Sequence, residues 1–140
     1  MPKAFAVEAT IDRPADQIWS ALTDWPNAYL WMPGVDAMAA SGPTEVGTEL
    51  SFHARGKDRP ALISALDPGR AITLRSVQGG VTADYRYTIE PAGDGRSQVH
   101  LDADCATTGL WSIVGPVLRM MMKRTDAGQL ERLKAVVEAE

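Results

Sequence analysis

Tyr85 and Tyr87 stand two residues apart in a stretch that alternates polar and apolar side chains. On a strand, that spacing puts both phenols on one face. A buried phenol needs a hydrogen-bond partner, so a tyrosine pair turned inward is a polar handle that a guest could satisfy. Thr125 and Gln129 are further polar residues in unexpected company, because both fall inside the apolar stripe of the C-terminal stretch. Burying a hydroxyl or amide without a partner costs about 1–3 kcal/mol. With Ser76 and the tyrosines, these groups would orient a bound molecule, and the chemistry they suggest is recognition.

Other reactive residue types are present without the company that chemistry needs. His53 and His100 are far apart, and no Cys-x-x-Cys or His-Glu-x-x-His spacing accompanies them, so no metal site is expected. Asp102 and Asp104 alternate with the apolar residues of their strand, and their ordinary account is a solvated face beside Arg86. Cys105 shares the inward phase and reads as a small buried hydrophobe. No Gly-x-Ser-x-Gly elbow occurs, and Gly79-Gly80 lacks the following helix that a phosphate cradle requires. No catalytic residue can be named, and no cofactor is implied.

These residues must be positioned by strands and one long helix. Phe5, Val7, Ala9 and Ile11 mark a first strand with one buried face. Pro14 to Thr23 then has helical spacing, with Asp12 or its neighbour as cap and Pro14 in the first turn. Pro26, Pro33 and Gly34 limit the segment up to Val35 to one or two helical turns. Strands follow at Val35–Ala40, Thr48–Arg55, Pro60–Leu66, Ala71–Val77, Val81–Glu90 and Ser97–Ala106, separated by turn signals. A two-residue turn at Gly79-Gly80 sets Leu74 opposite Tyr85, Ile72 opposite Tyr87 and Arg75 opposite Asp84, which suits both faces at once. For Pro60–Leu66 no inward face can be chosen. Leu110 to Glu140 reads as one long helix, with a break expected near Gly115-Pro116. Its stripe carries Val114, Leu118, Met121, Met122, Leu133 and Val136.

The chain has 140 residues and a net charge of -4. One domain spanning 1–140 is expected, with no overall basic field to hold nucleic acid or an anionic membrane. A single cysteine excludes an intramolecular disulfide and suits a reducing compartment. With no secretory signal and no apolar run of membrane-spanning length, a cytoplasmic protein without an integral membrane segment is expected.

The fold class is therefore α+β: a curved antiparallel sheet of about seven strands wrapped around a long C-terminal helix, with one or two short helices after the first strand. Such a sheet cannot easily fill its own interior, which suggests a cavity. Its expected wall is Phe52, Leu74, Tyr85, Tyr87, Leu101 and Ala103, facing Val114, Leu118, Met121, Met122 and Thr125 from the helix, with Gln129 among the orienting groups. Trp31 and Trp111 are candidates for the mouth.

The run Ile11-x-x-Pro14-x-x-x-Ile18-Trp19-x-x-Leu22-x-Asp24, followed by Trp31-Met32-Pro33-Gly34-Val35, resembles the START-related polyketide cyclase/dehydrase superfamily. So does the ending of strand, small-residue loop and long amphipathic helix. The resemblance covers essentially the whole chain and implies the helix-grip fold of birch-pollen-allergen-type proteins. It implies binding or transport of a small hydrophobic, aromatic or lipid-like ligand, and in some members cyclisation or dehydration of polyketides. Two rival functions stay open beside ligand binding: a polyketide aromatase/cyclase/dehydrase using pocket hydroxyls, and a protein–protein module with an apolar patch around Trp25, Tyr29 and Trp31. A homodimer also stays open.

Overall fold

The computed structural model describes residues 2–139, so the outermost positions of the sequence reading, Met1 and Glu140, lie outside it. The elements are β1 (Lys3–Ile11), α1 (Ala15–Leu22), a 3-10 turn (Trp25–Leu30), β2 (Val35–Ala40), β3 (Glu49–Ala54), β4 (Lys57–Asp67), β5 (Ala71–Gln78), β6 (Val81–Pro91) and β7 (Ser97–Thr107). A second 3-10 turn (Gly109–Ile113), α2 (Gly115–Asp126) and α3 (Gln129–Glu138) complete the chain. The strands form one antiparallel sheet in the order β1-β7-β6-β5-β4-β3-β2. Short turns join β3 through β7, a longer loop over residues 41–48 joins β2 to β3, and β1 closes against the last strand, so β2 through β7 form a meander. This is the helix-grip architecture.

The β5–β6 hairpin has the register its residues dictate. Gln78 pairs with Val81, Leu74 with Tyr85 and Ile72 with Tyr87. On the outer face Arg75 meets Asp84 in a two-pronged pair at 2.7 and 2.8 Å. The ambiguity of β4 has a structural cause: its pairing with β5 shifts between Ile63 and Ala65. A bulge lets Ile63 and Leu66 both face inward although they are three residues apart, which no period of two reproduces.

The terminal helix is segmented. The change from 3-10 turn to α2 falls at Val114–Gly115, and a second interruption falls at Ala127–Gly128. Glycine is a poor helix former, and Gly128 marks the second site. α1 carries no side-chain cap. Asp12 instead accepts from Arg96 at 2.9 Å, and its backbone N–H donates to Glu138 at 3.0 Å.

The core is centred under α3. Leu130, Leu133 and Val137 are fully buried with Ile11, Ile18, Leu22, Ile63, Ile72, Ile89, Val99 and Leu101. Trp25 and Trp31 also belong to it. The apolar patch expected around Trp25, Tyr29 and Trp31 is therefore not a surface, since only Tyr29 of the three is exposed. No helix among the described residues is long and apolar enough to cross a membrane.

Candidate functional site

The inner face of the sheet is covered unevenly. Along β5, Ile72 and Leu74 are buried, Ser76 is half-buried and Gln78 is exposed. Along β6 the same series runs from buried Ile89 and Tyr87 to half-buried Tyr85, Ala83 and Val81. Phe52 and Arg59, paired across β3 and β4, are half-buried at that same end. α2 rests on β1 and β7. The inner face of β3 to β6 below it is thus partly open, while the half under α3 is filled. The half-covered part of the inner wall lies at the α2 end.

The two tyrosines sit where the filled half meets the open one. Tyr87 is buried, packs edge-to-face on Trp31 with ring centroids 5.8 Å apart, and donates its hydroxyl to Gln129 Oε1 at 2.6 Å. Tyr85 packs edge-to-face on Phe5 at 6.1 Å and donates to the Asp126 carboxylate. Gln129 also favours the ionised form of Asp126, so two phenols, one amide and one carboxylate share one polar neighbourhood.

Burial sets the electrostatics of this neighbourhood. It pushes the Tyr85 and Tyr87 hydroxyls well above the ordinary phenol range, and the negative field of Asp126 adds to the effect. Burial also raises Asp126. Hydrogen bonds from Tyr85 and Gln129 and the positive charge of Arg55 oppose that rise without cancelling it. Arg55 occupies the β3–β4 turn with φ of 54°, a left-handed conformation uncommon for a side chain of its size. Arg59 donates Nε to the Ala54 carbonyl and one terminal nitrogen to Gln78 Oε1, both at 3.0 Å. The chemistry available is hydrogen-bond donation and proton exchange at a half-buried carboxylate beside guanidinium charge.

The residues expected at the site separate into three places. Tyr85, Ser76, Phe52, Leu118 and Met122 line the partly open end. Tyr87, Gln129, Leu74, Leu101 and Trp31 belong to the filled half, and Trp31 lies at no mouth. Trp111, Val114, Met121 and Thr125 are exposed. The Trp111 ring lies over the β5–β6 turn, where a Cβ on Gly80 would come within 2.6 Å of it. Thr125 is a correction to the expected inward stripe. The inward stripe of α2 and α3 runs Leu118, Met122, Asp126, Gln129, Leu130, Leu133 and Val137. Asp126 was absent from the sequence reading, although it stands four residues after Met122 and three before Gln129.

Outside this region several titratable groups form surface pairs. His53 meets Asp58 at 3.0 Å, and His100 lies 3.4 Å from Glu8. Lys3 pairs with Asp102 at 2.9 Å. No cluster of three or more metal-ligating side chains occurs among the described residues. An open groove of about 690 Å³ lies on the opposite, outer face of β2 to β5, between Ala39, Pro60, Leu62 and Val77.

Comparison with known proteins places this geometry in context. A family model described as polyketide cyclase/dehydrase and lipid transport matches residues 3–138. Among solved structures, a START superfamily protein from Mycobacterium smegmatis superposes with a TM-score of 0.77 at 15% identity, covering 96% of this chain and 97% of that one. An aromatase/cyclase from a Streptomyces species gives 0.75 at 18% identity, covering 96% and 92%. Norcoclaurine synthase from Thalictrum flavum gives 0.69 at 16% identity, covering 97% and 86%. At such identities the likeness is one of fold. No functionally curated protein matches the sequence.

Proposed function

This chain belongs to the polyketide cyclase/dehydrase and lipid transport family, and from that premise we propose that it binds a small hydrophobic or aromatic molecule at the α2 end of the sheet interior. The observation that carries this reading is the burial gradient along β5 and β6, which runs from solid core to half-covered wall within one hairpin. An apolar guest entering there would cover Phe52, Ala83, Leu118 and Met122. Each Å² of apolar surface removed from water contributes about 25 cal/mol before the costs of association. Tyr85 and Asp126 would read a polar group on the guest, because they end the apolar wall and exchange hydrogen bonds without large rearrangement.

The test fills the opening. Native mass spectrometry of the purified protein should show a bound apolar molecule, or titration with an apolar fluorescent dye should saturate at one site. Ala83→Trp should remove that binding while thermal unfolding stays cooperative. A protein that takes up neither guest nor dye, or an Ala83→Trp variant that binds as the parent does, overturns the reading.

A second reading has an observation of its own in the Tyr85–Asp126 pair. A carboxyl of raised pKa can take and return a proton at a carbonyl-bearing chain held in the same opening, while the Tyr85 phenol donates a hydrogen bond. That would be catalysis of the aromatase/cyclase type, with binding as its first step.

A further inference from the structure

We infer that the outward face of the Gly109–Ile113 turn and α2 docks onto the surface of an anionic lipid bilayer. The inference starts from where the exposed apolar side chains are. Leu110 and Ile113 are 86% and 79% exposed, and Trp111, Val117, Met120 and Met121 are also open to solvent. Val117, Met120 and Met121 recur at helical spacing on the side of α2 away from the sheet, opposite inward Leu118 and Met122. α2 therefore has apolar residues on two faces, and the sheet covers only one. An uncovered apolar surface of this kind marks an interaction site.

Charge selects the occupant. The chain as a whole carries -4, but residues 107–125 contain Arg119, Lys123 and Arg124 and no acidic residue. Arg119 is half-buried and donates back to the Cys105 carbonyl at 3.4 Å, so the outward face carries Lys123 and Arg124, and the negative total does not describe it. Lys123 and Arg124 are exposed, and no ion pair engages them among the described residues. The next acidic residue, Asp126, is turned inward to Tyr85. A second copy docking the same patch on itself would bring these cations together, which opposes a symmetric dimer. An anionic membrane satisfies both features at once: acyl chains receive the apolar tip, and headgroups receive the cations. Trp111, half-exposed over the β5–β6 turn, has the amphipathic ring favoured at that boundary. The docking does not depend on what the interior binds.

Co-sedimentation with vesicles tests it. The intact protein should pellet with vesicles of phosphatidylcholine and phosphatidylglycerol, remain free with pure phosphatidylcholine, and be released by salt. Lys123→Gln with Arg124→Gln should weaken partition roughly 25-fold, about fivefold per charge. Leu110→Ser with Ile113→Ser should abolish it. All four side chains are exposed, so circular dichroism should be unchanged. The inference is overturned if neither vesicle binds, if the variants partition as the parent does, or if the protein instead forms a dimer that Leu110→Ser with Ile113→Ser disperses.

Discussion

α2 and α3 are consecutive pieces of one amphipathic stretch, yet their environments differ. α3 has ten residues, of which Gln129, Leu130, Leu133 and Val137 are buried, and it packs on β1, β7, α1 and the first 3-10 turn. α2 is longer, at twelve residues, but buries only Gly115, where a Cβ would meet Thr107 and Arg119. The difference lies in what faces each segment. α3 lies over aliphatic side chains and is backed by α1, so its stripe completes a core. α2 bridges β1 and β7 and leaves the neighbouring inner face half-covered. The same kind of stripe is therefore structural at one end and available for binding at the other.

Truncation should separate the two segments most strongly. Leu133→Ala removes a fully buried side chain from a packed site and should destabilise the fold by about 2–5 kcal/mol. Leu118→Ala, at a half-buried position on α2, should cost less than about 1 kcal/mol and weaken dye binding instead. Urea unfolding of both variants measures the contrast. Equal losses would mean that α2 and α3 are a single structural unit.

The comparison also explains what was legible in the sequence. Strand order and the β5–β6 register could be read because both faces of that hairpin are chemically marked, by Ile72, Leu74, Tyr85 and Tyr87 on one side and by Arg75 and Asp84 on the other. The face of β4 could not, because its bulge breaks the period. In the terminal helix Leu118, Met122, Gln129 and Leu133 have the expected phase, but Thr125 is exposed, and Asp126, which the sequence analysis does not place, turns inward to Tyr85. A wheel assigns carboxylates to solvent because an unpaired buried charge is costly. It contains no information about two tyrosines arriving from a distant hairpin. Val114 and Met121 are expected inward for the complementary reason, since apolar residues at helical spacing look like core whether or not anything covers them.

The tyrosines offer a finer test across the same boundary. Tyr87→Phe removes the hydroxyl that donates to buried Gln129 and should cost about 1–3 kcal/mol. Tyr85→Phe removes a donor at the half-open end, where water can replace it, and should cost less. If the protein turns over a carbonyl-bearing chain, Tyr85→Phe should lose that turnover while Tyr87→Phe retains most of it at temperatures where it stays folded. Denaturant melts and single-turnover assays report the two effects separately. Equal destabilisation by both variants would place Tyr85 in the core.

Asp126 should give the smallest effect, visible as a dependence on pH. Its carboxyl titrates higher in the folded protein than in the unfolded chain because burial outweighs the favourable contacts from Tyr85, Gln129 and Arg55. Between the ordinary carboxylate range and that raised folded value, the folded state holds more protons than the unfolded one. Stability contributed by this group therefore falls as pH rises through the window, and the remaining penalty persists above it. Asp126→Asn keeps an acceptor for Tyr85 without the buried charge, so the variant should lack this decline. Relative to the parent it should gain stability toward neutral pH and lose that advantage in acid. The difference between the two urea-midpoint profiles isolates the effect from every other titrating group. A flat difference profile would mean that water reaches the carboxylate freely, and the half-open end of the interior would then extend past Asp126 toward Gln129.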